Sequence, residues 1–286
     1  MGKRRESLHP YIFLSPALAV IFLLAIYPFA FMIYITFNSL TATTGPDFIG
    51  LANYFRIPTD KLFWDTLRVT LIFVGSTLAI ELALGIGLAL LLERRFKGKR
   101  IILPIIYIPM IITPVAIGLT YRMLLDAVFG PVNYFLSFFG VRDIEWVAST
   151  RYSLLSIILI DVWQWTPFVF LIVSAGLQSI PAENIEASLL DGASYWQRLR
   201  YITFDFLKPY LLVILLIRTI DAFKFIDIIY TVTGGGPGTS STTLSFYGYI
   251  VAFVRWDVGY AATVSLILFF IVLIPSILFI RILSRR

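Results

Sequence analysis

This sequence predicts an all-α integral membrane protein with six transmembrane helices, and three observations carry the prediction. Only 14% of its 286 residues are charged and 59% are hydrophobic, whereas soluble domains carry about 25% charged residues. Mean hydropathy is +0.88. Segments 11–38, 66–92, 101–125, 152–177, 210–232 and 260–283 each reach the roughly 20 apolar residues that a bilayer crossing needs. One membrane domain over residues 1–286 follows, with no soluble part large enough to hold a core of its own.

The placement of the cations predicts an orientation. Lys3, Arg4 and Arg5 precede the first span. Arg94, Arg95, Lys97, Lys99 and Arg100 follow the second. Arg198, Arg200 and Lys208 follow the fourth, and Arg281, Arg285 and Arg286 the last, so fourteen cations fall on one side of a six-span chain. Six fall on the other: Arg56, Lys61, Arg68, Arg142, Arg151 and Arg255. By the positive-inside rule both termini and the loop after span four are cytoplasmic, in a multi-pass cell-membrane protein surrounded by lipid. The net charge of +6 is thus topological; no basic patch interleaved with aromatics points to nucleic acid. Cysteine is absent, which excludes disulfides and thiolate chemistry. The first apolar run exceeds a signal-peptide core and reads as a retained span.

In chain order, Tyr27-Pro28 predicts a bend in the first span. The outer segment 39–64 carries PDFIGLANYFRI and the aromatics Phe48, Tyr54, Phe55, Phe63 and Trp64, an interfacial belt. Span two holds Gly75, Ser76, Ala79, Ala83, Gly85, Gly87 and Ala89, small residues that permit close helix approach. Its mid-span Glu81 must face protein or water, marking either a cavity or an interhelical hydrogen bond. Pro104, Pro109 and Pro114 predict a broken third span, and the spacing of Arg122 and Asp126 predicts a local ion pair. Span four contains Asp161-Val-Trp163-Gln164-Trp165-Thr-Pro167. Indoles that stack on sugar C–H faces beside hydroxyl-binding polar groups fit a carbohydrate path, and a packed polar cluster fits equally.

Residues 178–209 form the long polar interruption. Pro181 suits a helix start, with Glu183 and Glu186 favouring its positive end. Asp191-Gly192 signals a turn, and Ser194 with Gln197 a capping box opening a second short helix to about Tyr201. Span five carries Arg218, Asp221, Lys224 and Asp227. Steps of three advance about 300°, so these charges spiral round the helix; they read as an ion ladder paired in sequence or as functional intramembrane charges. Its GGGPG is a flexible outer turn. Span six adds no chemistry.

The order Glu186-Ala187-Ser188, Asp191-Gly192-Ala193, Trp196-Gln197, Ile202 and Lys208-Pro209 resembles the cytoplasmic EAA loop of ATP-binding-cassette (ABC) importer permeases, most nearly the maltose- and glycerol-phosphate-type sugar permeases. PDFIGLANYFRI, GPVNYFLSFFGV and RTIDAFKFIDIIYTVTGGGPGTSSTTL resemble the same family. The resemblance implies that Glu186, Ala187, Asp191, Gly192 and Ala193 form a coupling helix seated on a cytoplasmic ATPase. It further implies a second homologous permease subunit, two ABC ATPase subunits and an extracytoplasmic solute-binding protein. ATP and Mg would be held by the partner ATPases, because no Gly-x4-Gly-Lys-Ser/Thr occurs here. The expected function is translocation of a sugar or related polar solute by alternating access. Asp161, Trp163, Gln164, Trp165, Lys224 and Tyr230 are the substrate-pathway candidates.

No catalytic or metal set is expected: His9 is the only histidine. The alternative function is an ion-coupled secondary transporter using Glu81, Asp161 and the charged fifth span. An intramembrane enzyme is a third class without a residue set to support it.

Overall fold

A computed structural model describes residues 9–93, 97–141 and 144–284. The cations at positions 3–5, 94, 95, 142, 285 and 286, which the orientation argument uses, lie outside them. Contacts divide the chain into two units, Met1–Lys61 with Gly248–Ile267, and Leu62–Tyr247 with Leu268–Arg286.

In the first unit, α1 (His9–Ile21) and α2 (Tyr27–Thr36) run on through a π-helical turn at Phe22–Ile26. The turn widens immediately before Pro28, where proline removes a backbone donor, and Phe13–Thr36 remains one helical stretch. Two-residue strands β1 (Asn38–Ser39) and β2 (Asp47–Phe48) pair antiparallel, Asn38 opposite Phe48. PDFIGLANYFRI contains a short helix, α3 (Ala52–Arg56). Asn53 Nδ2 fastens it by donating to the carbonyls of Thr36 (2.9 Å) and Asn38 (3.1 Å). Arg56 pairs with Asp257 at 2.6 Å and lies 4.0 Å over the Tyr260 ring, while Tyr260 Oη donates to Asp60.

The second unit opens with α4 (Lys61–Leu91). Next come α5 (Lys99–Ile111) and α6 (Pro114–Leu124), bent by 97°. Pro104 and Pro109 lie inside α5 and Pro114 opens α6, so the proline run breaks the segment as expected. Then follow α7 (Pro131–Ser137), α8 (Ser153–Gln178), α9 (Ala182–Leu190) and α10 (Tyr195–Arg198). A π-helical turn at Leu199–Thr203 leads into α11 (Phe204–Phe223), followed by α12 (Asp227–Val232). The chain continues through α13 (Leu244–Tyr249), a π turn at Ile250–Val254, and α14 (Val258–Ser284).

Among the described residues four helical stretches, Phe13–Thr36, Lys61–Leu91, Ser153–Gln178 and Val258–Ser284, are long and apolar enough to cross a membrane, and the bent α5–α6 pair makes a fifth. The segment expected as span five is different. Its helix starts before residue 210, ends at Phe223, and resumes at Asp227. Lys224 leaves helical geometry (ψ 4°) and Ile226 is at φ −130°. The charges crowd onto the break, where Asp221 and Lys224 are open to their surroundings and face each other at 3.5 Å. One further expectation fails for a local reason. Because α6 stops at Leu124, Asp126 lies past the helix end and cannot complete an i,i+4 pair with Arg122. Its carboxylate instead accepts the Val128 and Phe129 N–H groups (3.0 and 2.8 Å), which hold it below the usual carboxylate range. Arg122 donates to the Thr231 carbonyl.

Close packing in this unit runs through glycines. Gly85 on α4 backs onto Val169 and Phe170 of α8, with no room for a Cβ; Gly75 and Gly87 of the same small-residue series face open space. Gly176 on α8 lies against α11, where a Cβ would come within 2.7 Å of Leu207 and 2.9 Å of Tyr210. The surrounding core is Ala89, Val169, Phe170, Val173, Leu177, Leu207 and Ile214. Gly176→Leu is expected to cost about 1–3 kcal/mol by overpacking, read as a lower thermal midpoint of the solubilised chain. An unchanged midpoint would show that the α8–α11 spacing is not set here.

Candidate functional site

The loop between α8 and α11 is a two-helix knob. Pro181 occupies the N-cap of α9, one residue earlier than expected, and Glu183 lies in the first turn. The helix ends on Gly192 at φ +73°. The Ala193 N–H donates to the Ser188 carbonyl (2.9 Å) and the Gly192 N–H to the Leu189 carbonyl (3.1 Å). This paired pattern closes a helix only through a left-handed residue, which is why the position is glycine. One residue on, Ser194 and Gln197 form the expected capping box: Ser194 N–H donates to Gln197 Oε1 at 2.7 Å and Gln197 N–H to Ser194 Oγ. Arg198 Nη1 donates back to the Ala193 carbonyl at 2.8 Å.

The angle between the two helices is therefore held by backbone and side-chain bonds together. Glu186, Ala187, Asp191 and Gly192 are exposed and Ala193 is half-buried. Leu190 is 90% and Trp196 75% exposed on the same knob. The second helix does not stop near Tyr201. It passes through the π turn into α11, giving a continuous helical path to Phe223.

A buried ionic cluster in the second unit ties three helices together. Arg218 of α11 is 1% exposed and meets Glu81 of α4 with two bonds, Nε to Oε2 at 2.8 Å and Nη2 to Oε1 at 2.7 Å. The same Nη2 donates to Asp161 Oδ2 of α8 at 2.8 Å. Trp165 covers the guanidinium, whose carbon is 4.8 Å from the ring centroid. Of the ladder expected along span five the Asp221–Lys224 step forms, whereas Arg218 pairs across helices. A charge buried among apolar side chains takes partners that are equally desolvated, and an exposed neighbour on its own helix is a weaker competitor. Glu81 makes the interhelical bond that was one of its two readings.

The substrate-pathway candidates separate. Asp161, Gln164 and Trp165 lie at or beside this ionic cluster. Gln164 Nε2 donates to the Ile112 carbonyl at the α5–α6 break (3.3 Å). Trp163, 41% exposed, points elsewhere, edge-on to Tyr121 at 5.4 Å. It lines an apolar cleft of about 420 Å³ with Leu84, Leu88, Pro109 and Pro167. Lys224 and Tyr230 are exposed, Lys224 beside Asp221 and Tyr230 edge-on to Phe246. Arg218 was the residue missed as a site member. The signal was available, since a mid-span arginine needs carboxylates from other helices when its own neighbours reach the helix end.

Residues 81–286 match the family described as the binding-protein-dependent transport system inner membrane component. The chain belongs to this family. The permease is 34% identical over 281 residues to the trehalose/maltose transport system permease of Thermococcus litoralis, covering 98% of this chain and 95% of that one. It is 34% identical over 283 residues to the sulfoquinovosyl glycerol transport permease of Agrobacterium fabrum, covering 98% and 92%. Its fold is similar to that of a chain in a bacterial alginate ABC transporter complexed with a periplasmic protein. That match has a TM-score of 0.84 at 19% identity, over 96% of the permease and 93% of that chain. The permease is therefore a membrane-embedded, multi-pass transport component, and an ion-coupled secondary transporter is not favoured.

Proposed function

We propose that this permease is the translocation subunit of an ABC importer for a sugar or related polar solute. In this reading it crosses the cell membrane six times with both termini and the α9–α10 knob in the cytoplasm. It works beside a second homologous permease, on two ATPase subunits that carry ATP and Mg, and receives solute from an external binding protein. The observation that carries the reading is the knob itself. A left-handed glycine stop and a capping box lock two short helices at one angle, and Leu189, Leu190 and Trp196 remain uncovered at its surface.

Binding of ATP closes the partner ATPases, and the knob moves as a rigid lever. Because α10 continues into α11, the motion reaches Arg218 and through it α4 and α8. Transport follows if the ATPase and the solute bind the outward and inward states unequally. Sugar cargo is supported by the names of the relatives, two of which are named for trehalose/maltose and for sulfoquinovosyl glycerol transport. Among the pathway candidates, Trp163, Lys224 and Tyr230 are exposed enough to touch a solute, while Asp161, Gln164 and Trp165 lie at or beside the ionic cluster.

The test is uptake into proteoliposomes holding the permease and its co-purified subunits, with binding protein and labelled disaccharide supplied outside. Uptake is expected to require internal ATP and to survive a protonophore. Uptake that needs no ATP and collapses with the protonophore would overturn the proposal. Trp163→Ala is expected to change selectivity among sugars; unaltered selectivity would remove it from the pathway.

A further inference from the structure

The ionic cluster holds two carboxylates and one guanidinium, and all three side chains are buried to 1% exposure or less. Both carboxylates share one donor atom, Arg218 Nη2, so they lie side by side. With every group ionised the trio carries one negative charge in excess, inside a helix bundle where uncompensated charge is strongly disfavoured. The other charged group facing it from α11 is Asp221, which adds negative charge and is itself engaged with Lys224. From α8 it is faced by Gln164 and Trp165, which bring no charge.

A second observation points the same way. Asp161 Oδ1 and Gln164 Oε1, one turn apart on α8, are buried acceptors with no hydrogen-bond donor among the described residues. Buried acceptors are rarely left without a donor. An excess of negative charge and an excess of acceptors at one place are both removed by a single hydrogen ion.

We propose that the cluster is a binding site for one proton, held by the Glu81–Asp161 carboxylate pair. One carboxylic acid and one carboxylate then face Arg218, and the trio is neutral. The proton is taken from water as the bundle forms and is retained as part of it. It makes an O–H that donates to a neighbouring acceptor, and two adjacent carboxylates share such a proton as a unit rather than as separate sites. The sign of the linkage follows: the assembled bundle holds a proton that separated carboxylates have already given up at neutral pH. Stability is therefore full at lower pH and falls as pH rises through the value at which the pair loses it.

Infrared spectroscopy of the full chain in lipid nanodiscs near neutral pH tests this without any transport assay. The wild type is expected to show the C=O stretch of a protonated carboxylic acid that shifts in D₂O. That band should disappear in Glu81→Gln and also in Asp161→Asn, because one carboxylate per guanidinium needs no proton. A wild type without the band overturns the proposal and leaves a bound metal cation or an unbalanced cluster. A band that survives in either variant overturns it too, because its proton is then not shared. Should a variant fail to assemble, alkaline titration of the wild type decides. The band and the thermal midpoint must fall together; a band that persists while the midpoint falls, or a midpoint independent of pH, overturns the site.

Discussion

Arg218→Met is expected to destabilise the helix bundle by about 3–5 kcal/mol, the cost of removing one partner from a buried ion pair. Methionine fills much of the same volume, so packing alone accounts for little of the loss. The damage arises from Glu81 and Asp161, which keep their burial and lose all three donated bonds. The pair must take up a further proton or draw water into the core. The measurable outcome is a collapse in the amount of folded, detergent-extractable chain and in its thermal midpoint. Because the penalty belongs to the abandoned carboxylates, removing them as well should reverse most of it. The triple replacement Glu81→Met, Asp161→Leu, Arg218→Met is expected to recover a folded chain, since apolar substitutes for a buried ionic group are often neutral or stabilising. A triple variant as unstable as the single one would show that the cluster's role is not electrostatic. The Arg56–Asp257 pair is a useful contrast: its side chains are 49% and 25% exposed, and such pairs contribute about 0–1 kcal/mol.

The second large effect is functional. Gly192→Val is expected to leave the chain in the membrane at near wild-type amount while lowering ATP-driven uptake by about 5–150-fold, the range of typical coupling free energies. Valine is branched at Cβ and is a conformational outlier at φ +73°. The Ala193 to Ser188 and Gly192 to Leu189 bonds that end α9 would then be lost, and the two helices of the knob would change their angle. The site is exposed and touches nothing within 4 Å of a built Cβ, so a steric clash is not the cause. Glu186→Lys should act differently, reversing the charge on an exposed face while leaving the knob's shape intact. If ATP hydrolysis by the complex stays responsive to solute in both variants, the knob is not the lever.

Much of the knob was legible because its determinants are local. Ser194 and Gln197 satisfy each other across three residues, and Gly192 allows a backbone geometry that few other residues adopt. The same holds for Pro104, Pro109 and Pro114, whose missing donors break α5 from α6 wherever the helices are packed. The limits of local reasoning show at Tyr201, where a helix expected to stop runs on to Phe223 because nothing in 199–204 breaks it. They show again at residues 244–254, an apolar helix too short to stand out as a membrane span; its anchor is the Leu244 N–H bonding Thr70 Oγ1 on α4.

By itself, then, the sequence determined an apolar helical chain, the breaks at its prolines, the helix–turn–helix form of its polar loop, and the family resemblance that loop carries. Each depends on bonds made within a few residues or on bulk composition. Only the tertiary structure decided which acids Arg218 meets, which indole turns inward, and which glycines carry the packing. Those outcomes depend on how α4, α8 and α11 are rotated about their own axes. That rotation is set by shape and burial summed over the whole bundle, and no stretch of sequence records it alone.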